Sequence, residues 1–206
     1  MNFDYVREVG PKTGELVELW DRLCQNLERA EEMYWKQPQK SGMMLRKATE
    51  EICHIYNCYY EIGFPKHACL EDYLCYTEEE AHNILVSRFL SVVRSEQRDR
   101  LEWLRVWGDE CIFMDANPDT IEQSQDKLYL NVKKMMVYMM NTAKELCVRL
   151  FHLQHPETYT FNEEILPGYV SVEEREELER LQEEAKKKHR FSLWRKSSRD
   201  EERNSK

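Results

Sequence analysis

Six side chains able to bind a soft metal crowd into 23 residues: Cys53, His54, Cys58, His67, Cys69 and Cys75. Structural zinc sites draw thiolates and imidazoles as close pairs, two to four residues apart, twice over. Here the cysteine pairs run Cys53-x4-Cys58 and Cys69-x5-Cys75, which miss that spacing. The cysteines are therefore read as helix-face residues, and no metal and no cofactor is expected. Glu184-Ala185-Lys186 has residue types found in nuclease centres, but it falls on a solvated helix with no strand before it. No G-x4-G-K-[S/T] phosphate loop is present, so motor chemistry would have to come from a partner.

Charge offers one handle on nucleic acid. The chain carries a net −9, yet residues 186–206 hold nine Lys or Arg against three acids, a local +6 that leaves −15 on the rest. An acidic body disfavours nonspecific binding to a phosphate backbone. Lys186, Lys187, Lys188, Arg190, Arg195 and Lys196 are thus the candidate contacts for nucleic acid or a protein partner. Phe191, Leu193 and Trp194 give that segment hydrophobes for a partner, RNA or a membrane surface. The plainer alternative is a disordered tail.

The elements that must position any site are helical. At 206 residues the chain can bury a real core. Its 41% apolar and 33% charged residues, with few Gly and Pro, suit a polar all-α protein. The densest helix signal is Pro38–Tyr60, with Ser41 as its expected cap. Its apolar face is Met44, Ala48, Ile52, Ile55 and Tyr59. Arg46 on this helix is either a solvated charge or half of a partly buried pair with Glu50. Gly63 and Pro65 are expected to end the helix.

Before it comes an arm anchored by Phe3, Tyr5 and Val6, then a helix opening at Thr13 or Gly14 and closing near Trp35. Trp20 and Tyr34 are read as core anchors. After it, Thr77 and Glu80 form an expected capping box for a helix through Val93. SEQRDR (95–100) is a polar turn or exposed helical stretch, and RLEWLRVWGDECIF a helix interrupted at Gly108. Asn117-Pro118-Asp119-Thr120 reads as the start of a helix running to about Phe151. That helix is broken by Lys133 and Lys134, so it is not read as a membrane span. Five Met between 114 and 140 offer either core or a partner surface. Residues 156–170 read as an irregular linker. Ser171 with Glu174 opens a charged helix, held by acid-to-base pairs, that leads into the tail. With no charged-then-apolar leader, the seven cysteines are expected as reduced thiols in the cytoplasm.

Three blocks, in order, resemble a known family. The arm MNFDYV precedes a helix with Ala30-Glu31. A Pro-led helix carries Leu45-Arg46-Lys47-Ala48-Thr49-Glu50. Then comes Leu104-Arg105-Val106-Trp107-Gly108-Asp109. Together they resemble the helical domain of unknown function found at the N-terminus of type I restriction-enzyme R subunits and alone in many prokaryotic proteins. That domain looks like a branch of the HEPN superfamily. The resemblance covers residues 1–155. It implies a bundle of four to five helices, often dimeric, so a homodimer or a protein partner is expected.

In active HEPN ribonucleases an Arg, followed four to six residues on by a His, acts on a ribose 2′-hydroxyl and the scissile phosphate. In this branch the block reads Arg-x-x-Gly-Asn, with the His a few residues later. Here Arg105 and Gly108 match, Asp109 replaces the Asn, and Phe113 stands where the His would be. A phenyl ring relays no proton, and Asp109 and Glu110 would repel a phosphate. Arg149 and His155 fit the spacing, but at the end of the last helix. The expectation is therefore a non-catalytic interaction or nucleic-acid-associated module of prokaryotic defence. The alternatives are a metal-independent endoribonuclease with an altered motif, or a dimeric scaffold built on the Met-rich helix.

Overall fold

A computed structural model describes residues 1–74, 83–117, 125–171, 174, 177 and 180. Among them every regular element is helical: α1 Asp4–Val9, α2 Leu16–Met33, α3 Pro38–Tyr59, α4 Leu70–Leu74, α5 Ile84–Val92, α6 Ser95–Ala116 and α7 Gln125–Phe151. The long helices α2, α3, α6 and α7 form the bundle, with α3 packed against the other three. The all-α expectation holds: α2, α3, α5, α6 and α7 were expected from the pattern, and the short helices α1 and α4 are added to them.

α3 begins at Pro38, whose missing N–H costs nothing at the first helical position. Ser41 is not its cap. It lies inside the helix, buried, and its hydroxyl donates to the carbonyl of Ala30 on α2 at 2.7 Å. A serine facing a neighbouring helix end satisfies that helix's orphan carbonyl instead of its own N-terminus. The buried face of α3 is also rotated from the expected one. Leu45, Ala48, Ile52, Cys53, Ile55 and Tyr56 are buried, while Met44 is only partly covered and Tyr59 is exposed. Three partner helices demand a wider face than one stripe.

The N-terminal arm is a helix, and its anchors Phe3, Tyr5 and Val6 enter the core. Trp20 is buried and its indole N–H donates to the carbonyl of Val6 at 2.9 Å, tying α2 to α1. Gly10, at the end of α1, leaves room for that ring: a β-carbon there would sit 1.9 Å from the indole nitrogen. Tyr34 is buried as expected.

Thr77 and Glu80 lie outside the described residues, and the cap of α5 is Asn83, whose side chain accepts from the Leu85 N–H at 2.8 Å. α6 is one unbroken helix of 22 residues through both SEQRDR and Gly108. Asn117 closes α6, its side-chain amide donating to the carbonyl of Phe113 at 2.8 Å. The expected start at 117–120 continues into residues outside the described ones. α7 buries Met135, Met136, Met139 and Met140. The methionines therefore fill the core, and this face of α7 is not a partner surface. Among the described residues no helix is long and apolar enough to cross a membrane.

The chain divides into two compact units, Met1–Gly168 and Tyr169–Lys206. The stretch after α7 has two 3-10 turns, Pro156–Thr158 and Glu163–Ile165, and packs on the first unit. Leu166 is buried, and the Asn2 side chain exchanges hydrogen bonds with the Asn162 backbone at 2.7 and 3.0 Å. Residues up to 168 thus belong to the bundle and are not a free linker. In the second unit, Ser171 and Glu174 make the reciprocal capping box, at 3.0 and 3.2 Å. Arg180 pairs with Glu177 at 3.5 Å.

Candidate functional site

α3 and α6 run antiparallel and meet at three levels. The Gln97 amide donates to the Tyr56 hydroxyl at 2.7 Å in the buried seam. A β-carbon on Gly42 would lie 2.3 Å from the Cys111 sulfur, and one on Gly108 would lie 2.4 Å from the Arg46 β-carbon. The glycine expected to interrupt α6 thus lets the two backbones approach. Gly costs a helix interior roughly 1 kcal/mol against Ala, which does not break a helix packed on both sides.

That close approach lays the Arg46 side chain across α6. Its Nε donates to Asp109 Oδ1 at 2.6 Å and its Nη2 to Glu71 Oε1 at 2.8 Å, with Glu50 at 3.7 Å. Asp109 gives its other oxygen to Arg105 Nη1 at 2.9 Å. Arg105 in turn grips Glu102 with two parallel bonds, 2.9 and 2.7 Å, a strong bidentate geometry. The two arginine side chains are 17% and 16% exposed. Arg46 is thus a partly buried pair-former, though Glu50 is its most distant acid. Burial works to raise the Glu71 carboxyl. Its own backbone N–H, Cys69 and the charges of Arg46 and Arg105 outweigh that and hold it below the ordinary carboxylate range.

Family-block positions Arg46, Glu50, Arg105, Gly108 and Asp109 therefore come together in space, as one ion network with Glu71 and Glu102. Two guanidinium groups face four carboxylates, an arrangement that holds helices and repels phosphate. Phe113 is not part of it. It lies one to two turns further along α6, 57% exposed, with Val106 and Ile112 also exposed. Beside them Trp103 packs on Trp107 and on Tyr138 of α7, with ring centroids 5.2 and 4.9 Å apart.

Arg149 and His155 make no common site. Arg149 donates to the carbonyl of Val92 and pairs with Glu145 at 3.4 Å, whereas His155 is exposed and pairs with Glu157 at 3.2 Å. Lys186, Lys187, Lys188, Arg190, Arg195 and Lys196 lie outside the described residues, as does Cys75. Cys53 is buried, Cys69 sits against Asp72, and among the described residues no cluster of three His, Cys, Asp or Glu is placed to hold a metal ion. Burial raises the Cys58 thiol and pushes Cys111 up to about 12, so neither is an activated nucleophile.

His54 is the residue whose part in this network the sequence did not disclose. Its Nε2 is 3.9 Å from Glu50, the acid beside Arg46, and its Nδ1 shares a hydrogen bond with the Tyr73 hydroxyl at 3.2 Å. The spacing Arg46, Glu50, His54 repeats every four residues and could have signalled one face. With it, His54 lines a cavity of about 730 Å³ together with Cys58, Phe64 and Arg22. Comparison with protein-family models, with curated proteins and with solved structures found no match to this chain.

Proposed function

We propose that the chain is a non-catalytic helical interaction module, cytoplasmic and nucleic-acid-associated, of the kind that serves prokaryotic defence against foreign DNA. One observation carries the non-catalytic part: Arg105, the arginine that the resemblance would make catalytic, is held by Glu102 and Asp109. An arginine gripped by two carboxylates is a poor ligand for a phosphate, and no proton relay stands at Phe113. The resemblance to the HEPN-like domain supplies the defence setting. The working parts would be the bundle surface around Arg105–Phe113, where Val106, Ile112 and Phe113 are exposed, and, separately, the basic segment 186–206.

A second reading, a metal-independent endoribonuclease with an altered motif, has His54 in its favour, since Glu50 links it to Arg46. A third, a dimeric scaffold, would need a face other than the methionines of α7. Mixed-RNA cleavage in EDTA tests the choice, with wild type beside Arg105→Ala and His54→Ala. Our reading expects no cleavage by any of the three. Cleavage by wild type that either substitution abolishes would make the chain a ribonuclease. A sedimentation mass of 25.0 kDa would remove the dimeric scaffold.

A further inference from the structure

The seam between α2 and α3 holds a polar groove of about 420 Å³, lined by Arg22, Gln25, Asn26, Arg29, Arg46, Lys47, Glu50 and Glu51. Within it the Arg22–Glu51 pair, 2.9 Å, links the two helices. Four cations and two acids line it, on a chain whose net charge is −9, and two of those cations are spent: Arg22 also pairs with Glu18, and Arg46 with Glu71 and Asp109. The acids of the groove are matched: Glu51 by Arg22 and Glu50 by Arg46. Arg29 and Lys47 remain, exposed, and neither makes an ion pair or hydrogen bond among the described residues. The side-chain amides of Gln25 and Asn26 likewise make no hydrogen bond among the described residues.

We infer that this groove binds a small phosphorylated, hydroxyl-rich molecule of the sugar-phosphate class. A phosphomonoester carries about −1.5 to −2 at neutral pH, which matches the two uncommitted cations, Arg29 and Lys47. The amides of Gln25 and Asn26 supply neutral donors and acceptors for hydroxyls. The volume falls in the range of small-molecule sites. An extended polyanion fits less well. Along α2 it would run past exposed Glu18 on one side and exposed Glu28 and Glu32 on the other. No aromatic side chain lines the groove to stack a base. This site is distinct from the α6 stripe and does not depend on the interaction reading.

The test uses the full chain and three phosphate probes, inorganic phosphate, ribose 5-phosphate and glucose 6-phosphate, with ribose as the uncharged control. Calorimetry gives affinity, and backbone amide shifts locate the site. The expected result is saturable binding of a sugar phosphate, tighter than inorganic phosphate, with shifts at residues 22–29 and 46–51 and no binding of ribose. Arg29→Ala with Lys47→Ala should weaken it by about tenfold or more, since charge-assisted bonds are lost. Gln25→Ala with Asn26→Ala should bring the sugar phosphate down to the level of inorganic phosphate. Arg29, Lys47 and Gln25 are exposed and Asn26 is half-buried, and an unchanged melting temperature would confirm that the variants fold. Binding of none of the three phosphates, binding indifferent to Arg29 and Lys47, or tighter binding of single-stranded RNA at the same residues would each overturn the assignment.

Discussion

A β-carbon on Gly108 would sit 2.4 Å from the β-carbon of Arg46, and 2.8 Å from its γ-carbon. Real atoms do not approach so closely, and a β-carbon cannot swing aside as a side-chain tip can. Gly108→Ala should therefore push α6 off α3 despite its better helix propensity. We expect a net loss of about 2 kcal/mol, overpacking outweighing the helix gain. Urea unfolding of the variant beside wild type measures it. A variant as stable as wild type would mean that the seam has slack at this level.

Asp109 gives one oxygen to Arg46 and the other to Arg105. Asp109→Asn should cost about 1–2 kcal/mol, less than a fully buried pair because the carboxylate is half exposed. The bridge also predicts non-additivity. Arg46→Ala and Arg105→Ala together should destabilise by less than the two alone, by about 0.5 kcal/mol or more. A double-mutant cycle in low salt and again in 1 M NaCl would read both effects, and additive singles would show that Asp109 does not couple them.

The helices were largely legible in the chain, and their contacts were not. Pro38 opens α3 because it acts on local backbone, whereas the helix ends at Tyr59, with Glu61 at a positive φ, before the Gly63–Pro65 punctuation is reached. Ser41 misled for the same reason. Its hydroxyl was free to cap its own helix, and only the approach of Ala30 from α2 gave it a better partner. Gly108 reads as a break because propensity is local, whereas its purpose lies in Arg46, 62 positions away in the chain. Arg46 with Glu50 was visible at four-residue spacing. Glu71 and Asp109 were not, since no pattern in the sequence pairs residues across helices. The uncommitted charge of Arg29 and Lys47 was hidden for the opposite reason: it becomes visible only once the other cations have found their acids.

Gly42 and Cys111 form the next level of the same seam, with a β-carbon on Gly42 falling 2.3 Å from the sulfur. Here the obstruction is a side-chain end. Gly42→Ala alone should cost roughly 1–3 kcal/mol by overpacking. Adding Cys111→Ala should recover a good part of it, because the added methyl then occupies the space the thiol leaves. Thermal unfolding of the two single variants and the double variant tests this. A double variant less stable than the sum of the singles would place the clash on the backbone.

Glu31 is buried on α2 with both oxygen bonds drawn from one residue: the Asn2 backbone N–H at 2.6 Å and its amide at 3.0 Å. Burial raises its carboxyl, and the Asn2 bonds and the N-terminal ammonium pull it down without cancelling the rise. The folded state therefore holds this proton more tightly than the unfolded chain does. The linked stability is fully present below the unfolded value, about 4.3, and is lost as pH climbs through the higher folded value. Glu31→Gln keeps an oxygen for both Asn2 donors and removes the ionisation. Its stability relative to wild type should rise between pH 4 and pH 7. Asn2→Ala should move the other way. It strips the carboxylate of its side-chain donor, leaving the backbone N–H in place, and costs more at pH 7, about 2 kcal/mol, than at pH 4, where a protonated acid needs that donor less. Urea midpoints at the two pH values decide both signs. Two differences that stay flat with pH would mean that Glu31 ionises as easily inside the bundle as in water.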